Sequence, residues 1–383
     1  MSNDQTSAAG KRLRGSRRLV VKVGSAILCA DDGVRAEWLA SLAAELAVLR
    51  KDGVEIVIVS SGAIALGRAQ LRLGDGLRLD EKQAASAAGQ AALAHAWQSA
   101  FAQIGLPVGQ ILLTLDDTEN RRRYLNARAT LRTLLDLGAV PVVNENDTVA
   151  TSEIRYGDND RLAAHAAQLV EADTLLILSD VDGVYDADPR SNSSANRLAV
   201  IDTITPDIEA AATGPNAARG VGSGGMASKL SAAKIAANSE CATIIASGHV
   251  TAPLTHIREG GAATLIEANT SSPNARRRWI GGRIKPSGAV HIDAGAEKAL
   301  RSGSSLLPAG VVSVDGEFSR GDAVSVIGPG DSVVGNGLSA YAARDIRLIA
   351  GRRSEDIEAV LGYKRRPAII EKNDLALIEK TKT

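Results

Sequence analysis

The sequence predicts an α/β protein: a large domain on a mainly parallel sheet, layered as an αβα sandwich, followed by a small β-rich domain. Three observations carry this. Short aliphatic runs alternate with longer helical patterns through the first two thirds of the chain, as in successive βαβ units. Aromatic residues are only 3% of the 383, so Ala, Val, Leu and Ile must build the core, which suits helices packed closely on an aliphatic sheet. The net charge of zero hides a division: residues 1–275 carry 26 Lys and Arg against 31 Asp and Glu, whereas residues 276–383 carry 18 against 13.

In chain order, residues 1–17 are expected to be a disordered polar tail. Its basic residues, with Arg18 just beyond, read as a solvated face rather than a nucleic-acid arm. The large domain is expected over 18–267. Its strands are predicted at 19–23, 55–59, 107–113, 140–143, 174–178 and 242–246, and its helices at 36–51, 81–103, 120–137, 159–171 and 226–238. A linker over 268–283 begins with ANTSSPNA, rich in turn-forming residues. The small domain, 284–365, has β-like runs at 288–292, 311–314, 323–327 and 333–337, then helical patterns at 342–350 and 355–361. Residues 366–383 are read as a C-terminal tail.

Several function classes drop out. No apolar run reaches the roughly 18 residues of a spanning helix, no secretory signal is visible, and two cysteines, Cys29 and Cys241, make no disulfide framework or zinc site. Both are expected to be buried thiols in a cytoplasmic protein without membrane attachment. GxSxG, HExxH and CxxC are absent and the five histidines lack ligand spacing, so a hydrolase or zinc enzyme is disfavoured and no protein-held metal is expected.

Open sheets of this kind place ligands at the carboxyl ends of strands. The first strand ends in VVKVGSA, with Lys22 in an apolar run; a lysine there faces an anion or carboxylate, or reaches solvent at an edge. The second runs into Ser60-Ser61-Gly62, where hydroxyls and backbone N–H groups at a helix start suit an anion, or Ser61 simply caps the helix. Next come NENDT, from Asn144 to Thr148, and YGDND, from Tyr156 to Asp160. Their amides and acids offer acceptors to an ammonium and donors to a carboxylate, the two groups of an amino acid, although Asp158 reads as a turn or N-cap residue. Asp160 is placed to hold lysines by charge. Ser179-Asp180 follows the fifth strand, and GVGSGGMASK, ending at Lys229, sets four glycines before a helix whose first turn carries a lysine. Such a loop cradles phosphates, although its spacing is not that of a P-loop.

In this order, VVKVGSA, VSSGAIALG, NENDTVAT, YGDNDRLAA, SDVDGVYDADPR and GSGGMASK resemble the glutamate 5-kinases, of the amino-acid kinase fold. The likeness runs from Arg18 onward, and RRRWIGG, RSGSSLLPAG, GEFSRGD and Val360-Leu361-Gly362-Tyr363 resemble a C-terminal PUA domain. The resemblance implies ATP as phosphoryl donor, with Mg²⁺, and the side-chain carboxylate of L-glutamate as acceptor, in the first step of proline synthesis. It assigns catalysis to Lys22, Asp160 and Lys229, and glutamate binding to Ser61, Asp147 and Asn159. ATP binding falls to Lys22, Ser179, Asp180, Ser223, Gly224, Gly225, Met226, Ala227, Ser228 and Lys229. Feedback inhibition by proline and a homodimer or homotetramer are further implications, as is possible RNA binding by the PUA domain. The chain departs from the usual family residues at Ser25-Ala26, Ser179 and Ala227-Ser228.

The chemistry agrees independently. A glutamate carboxylate, with a reference pKa of about 4.3, is ionised at neutral pH and needs no general base, so lysines without a His or Cys catalyst suffice. Aspartokinase, acetylglutamate kinase and uridylate kinase are the rivals within the fold. An RNA-binding or regulatory protein is the rival outside it, weakened by the scarcity of stacking aromatics.

Overall fold

The computed structural model describes residues 7–30, 33–149, 158–189, 191–213, 225–268, 286–363 and 367–378. Contacts divide the chain into two compact units, one of Met1–Glu119 and Asn126–Thr270, the other of Asn120–Leu125 and Ser271–Thr383.

The first unit contains an eight-stranded sheet among the described residues. Its strands are β1 (Arg18–Val23), β2 (Glu55–Ser60), β3 (Val108–Leu113), β4 (Val140–Glu145), β5 (Thr174–Ser179), β6 (Val200–Ile201), β7 (Ala242–Ser247) and β8 (Ala263–Ile266). The order is β6-β8-β7-β5-β1-β2-β4-β3, parallel except where β7 meets β8. Six of these strands lie where the apolar runs predict them. β6 and β8 went unpredicted because each is a short stretch whose burial depends on its neighbours.

β1 lies between β2 and β5 and is buried along nearly its whole length, which is why its sequence is almost continuously apolar. Alternation still sorts its side chains. Leu19, Val21 and Val23 join the core formed with helices α1 (Ala8–Arg14), α2 (Ala36–Lys51) and part of α4 (Leu79–Ala102), whereas Val20 and Lys22 lie outside that cluster. Helix α3 (Ala63–Leu71) precedes α4. On the other face pack α6 (Asp158–Val170), in contact with β1, β2, β4 and β5, and α7 (Met226–Ala237), in contact with α6 and β7. Helices thus cover both faces, as expected for a three-layer sandwich. Helix α5 (Arg121–Asp136) runs between β3 and β4.

Two expectations about the termini need correction. Residues 8–14 form helix α1 instead of a disordered tail. Ser7 caps it by accepting from Gly10 N–H at 3.1 Å, Ala9 and Leu13 are buried, and the Arg12 guanidinium donates to Asp173 O at 2.6 Å. Two apolar contacts and a cap were too short a pattern to outweigh five basic residues. Residues 367–378 are likewise structured: Ile369 and Ile370 sit in a core and Leu375–Leu377 adds a strand to the second sheet.

That second unit has its own sheet: β9 (Gly288–Ile292), β10 (Val311–Asp315), β11 (Ala323–Ile327), β12 (Val333–Leu338) and β13 (Leu375–Leu377), ordered β10-β9-β11-β12-β13. Its core gathers Val290, Phe318, Val324, Val326, Tyr341 and Ile346 among others. The helical pattern at 342–350 appears as Ala343–Ile349, and that at 355–361 as a 3₁₀ turn, Ser354–Asp356, leading into Ile357–Leu361. Most of the expected linker, from residue 269 on, lies outside the described residues. Among the described residues no helix is long and apolar enough to cross a membrane.

Candidate active site

Four adjacent strands, β5, β1, β2 and β4, end on the same edge of the sheet, and the polar residues of the unit collect there. Lys22, one residue before the end of β1, pairs in register with Val59 and Ile177. Its Nζ lies 2.6 Å from Asp160 Oδ1, on the first turn of α6. Lys229, on the first turn of α7, lies 3.4 Å from the other oxygen of the same carboxylate and donates to Gly225 O at 3.1 Å. Lys22, Asp160 and Lys229 are exposed by only 7%, 1% and 6%.

Burying three charges costs several kcal/mol per ion before pairing repays it. One carboxylate between two ammoniums leaves this cluster with a formal charge of +1. The acid between them holds both ammonium groups on one carboxylate, with a second carboxylate, Asp180, within coulombic reach of Lys229. A phosphate group has the charge and the oxygens to pair with these lysines.

Asp180 adjoins the cluster just after β5. Burial pushes its carboxyl up, but hydrogen bonding from Ser179 and the backbone, with the charges of Lys229 and His249, outweighs burial and leaves it below the usual carboxylate range. Ser179 Oγ donates to Asp180 Oδ1 at 2.8 Å. Gly225 is the exposed N-cap of α7, and Met226, Ala227 and Ser228 are half-buried on its first turn. Ser223 and Gly224, with Gly220, Val221 and Gly222 before them, lie outside the described residues.

Beside the charged cluster is a neutral one. Asn159 Nδ2 donates to Ser61 Oγ at 2.8 Å and to Asn144 Oδ1 at 3.1 Å. Asn159 Oδ1 is buried and has no hydrogen-bond partner among the described residues. An orphaned buried acceptor is costly and points to a ligand donor. Ser61 is not the helix cap: α3 is capped by Gly62, at φ +118°, where a side chain would meet Cys29 Sγ at 2.8 Å. Its hydroxyl is therefore spent on Asn159. Asp147, in a 3₁₀ turn after β4, is 6% exposed and accepts from Ser86 Oγ at 2.6 Å. Tyr156 and Gly157 lie outside the described residues, as does the side chain of Asp158.

Sequence reasoning missed the support behind these groups. Ser86, Gln90 and Trp97 all come from α4: Ser86 bonds Asp147, Gln90 Oε1 accepts from Asn144 Nδ2 at 2.7 Å, and the Trp97 indole donates to Ser60 Oγ at 2.8 Å. The 86/90/97 spacing on one helix face is the available signal, obscured by the surrounding Ala and Gly. Gly67 of α3 and Gly89 of α4 let the two helices meet closely. A Cβ on Gly67 would lie 1.7 Å from Ala85 O, and one on Gly89 1.9 Å from Ala63 O. The thiols were expected to be buried; Cys241 is, but Cys29 is only half-buried, and burial pushes its pKa up to about 11.

Comparisons with known proteins give the family. A model of the amino acid kinase family matches residues 17–247, and one of the PUA domain matches residues 288–361. A curated glutamate 5-kinase of Paramagnetospirillum magneticum is 52% identical over 367 residues, covering 95% of this chain and 99% of that protein. The glutamate 5-kinase of Brucella ovis is 53% identical over 369 residues, 96% of this chain and 97% of its own. That of Rhizobium etli is 51% identical over 96% of this chain and 94% of its own.

Proposed function

Because the chain belongs to the amino acid kinase family, and within it to the glutamate 5-kinases that carry a PUA domain, we propose that it transfers the ATP γ-phosphoryl group to the side-chain carboxylate of L-glutamate. The product is L-glutamyl 5-phosphate, the first intermediate of proline synthesis. The observation that carries this reading is the buried Lys22–Asp160–Lys229 cluster, formal charge +1, beside the orphaned acceptor of Asn159.

In the proposed mechanism a carboxylate oxygen of glutamate attacks the γ-phosphorus while the bond to the β,γ-bridging oxygen breaks and ADP leaves. The acceptor is already ionised, so no proton is removed. The task is to hold two anions in line and offset charge on the transferring group. Lys22 and Lys229 supply that charge, Asp160 fixes their positions, and Ser179, Asp180 and the Ser223–Gly224–Gly225 loop leading into Met226, Ala227, Ser228 and Lys229 hold the nucleotide. Asn159 Oδ1 accepts from the one hydrogen-bond donor that glutamate possesses, its α-ammonium. Asp147 adds charge for the same group, and Ser61 holds Asn159.

Mg²⁺ is proposed to arrive on the ATP phosphates. Among the described residues no group of three or more His, Cys, Asp or Glu is placed to hold an ion. Two lysines and one buried acid offset phosphate charge instead of chelating a cation. Proline, which shares the ammonium and α-carboxylate of glutamate, is proposed as a feedback inhibitor of the same pocket. A cytoplasmic homodimer or homotetramer follows from the family likeness, and the PUA unit is assigned to assembly or regulation in preference to RNA reading.

A coupled ADP-release assay with Mg²⁺ and separate amino acids, with and without proline, tests the reading. Turnover of glutamate and not aspartate is expected. Robust turnover of aspartate without glutamate would sink it.

A further inference from the structure

The backbone N–H groups at the start of α3 serve an anion only if the peptide between Ser61 and Gly62 is turned the right way. Its flanks are anchored: Ser61 N–H donates to Val23 O at 3.1 Å, and Gly62 O accepts from Leu66 N–H at 3.0 Å. These bonds do not fix the peptide between them, because rotation about ψ of Ser61 and φ of Gly62 turns it over while both flanks stay in place. Backbone sterics do not fix it either. Gly62 sits at φ +118°, which glycine adopts freely, and the reversed peptide would move it towards negative φ, open to any residue.

What distinguishes the two orientations is Ser60. It shares the face of Ile56 and Ile58, which enter the core with α4, whereas Val59, in register with Lys22, lies on the other face. Ser60 Oγ is buried; it accepts from the Trp97 indole N–H at 2.8 Å and donates to Ser61 O at 3.2 Å. The indole is a donor only and cannot trade roles with the hydroxyl. It sits on α4, buried and stacked on Phe101 with ring centroids 5.9 Å apart, which fixes its direction. Ser60 must therefore send its proton onward, to Ser61 O. With that carbonyl turned to the core, the N–H of the same trans peptide points the other way, to the face of Lys22 and α6. Reversal would set the Gly62 N–H against Ser60 Oγ as a second donor and leave the buried hydroxyl proton without an acceptor, a costly state.

From this geometry, and resting on the proposed phosphoryl transfer, we infer that Trp97 is a positioning residue. Its N–H sets the polarity of the Ser60 hydroxyl, which holds the Ser61 carbonyl inward and so keeps the Gly62 N–H facing the anionic reactants. Trp97 acts through one side chain and one peptide rather than by touching substrate. Without its donor, each orientation leaves Ser60 with one unmet group, its acceptor side in the first and its proton in the second. The peptide then divides between them, and the reversed fraction turns a carbonyl oxygen towards an anion.

The test measures kcat/KM for glutamate at saturating ATP in the full-length chain, in Trp97→benzothienylalanine incorporated at that single position, in Ser60→Ala and in their combination. The benzothiophene ring keeps the shape of the indole but has no N–H, so packing is retained. It is expected to lower kcat/KM about fivefold, as the competent fraction of the turn falls. Ser60→Ala frees the same carbonyl and should cause a fall of similar size. Adding the ring substitution to Ser60→Ala should then change kcat/KM by less than about twofold, because the indole acts only through that hydroxyl. A ring substitution that leaves kcat/KM within about twofold of the parent overturns the inference. So does a combined variant in which the two falls multiply, because Trp97 would then act by another route. Should Ser60→Ala melt early in a thermal scan, the ring substitution alone decides. A parent enzyme without glutamate turnover would instead refute the proposed function, so the two failures are distinguishable.

Discussion

In the first unit, Lys22, Asp160 and Lys229 are each less than a tenth exposed and share one carboxylate, whereas in the second unit Arg347 with Glu317 and His291 with Asp315 make contacts of 2.5 and 2.8 Å in which the acids are 77% and 70% exposed. Separations are similar, but the surroundings differ. In water such pairs are screened and contribute little. In the interior the same charges are strongly felt and are tolerated only when their hydrogen bonding and charge balance are completed, here by a proposed phosphate. Burial thus separates charge that can do chemistry from charge that keeps a surface hydrated.

Five substitutions sharpen that contrast, in order of expected size. Lys229→Ala or Lys22→Ala should lower kcat by a factor corresponding to about 3–4 kcal/mol, as for single electrostatic groups in active sites; a steady-state assay that finds less than tenfold loss would place the charge elsewhere. Gly89→Val, forcing a side chain towards Ala63 O, should destabilise the first unit by about 2–3 kcal/mol. Denaturant titration reads this, and an unchanged midpoint would mean that the α3–α4 contact relaxes freely.

Asp147→Ala should chiefly raise the glutamate KM, by about tenfold, for loss of a charged hydrogen-bond partner. An unaltered KM would remove Asp147 from the substrate pocket. Smallest of all, Glu317→Ala should shift unfolding by less than about 1 kcal/mol although it breaks a 2.5 Å ion pair. A shift comparable to that of Gly89→Val would erase the distinction between the two units.

The elements that sequence made legible are those whose burial is written in local periodicity. The strands from β1 to β5 and β7 and the helices α2, α4, α5, α6 and α7 appear within a few residues of where the apolar patterns place them. Lys22, Asp160 and Lys229 were legible as lone charges at strand ends and helix starts. Helix α1 was not, because its stability comes from Arg12 and Ser16 reaching Asp173 O and Thr174 Oγ1, more than 150 residues away. The strand Leu375–Leu377 was missed for the same reason, its pairing partners lying about 40 residues earlier.

The motifs were equally uneven. Their order was enough to point to the family, but Ser61 read as a helix cap as readily as a binding group, and only its bond to Asn159 separates the two. Gln90 carried no visible meaning at all. The sequence by itself determined the two-part α/β and β-rich organisation, the anion-handling chemistry and the absence of a need for a general base, since these rest on residue type and local spacing. Only the tertiary structure decided which lysines share Asp160, which way the Asn159 amide faces and what stands behind it. A hydrogen bond or ion pair depends on distance and direction between atoms brought together by folding, and local periodicity records neither.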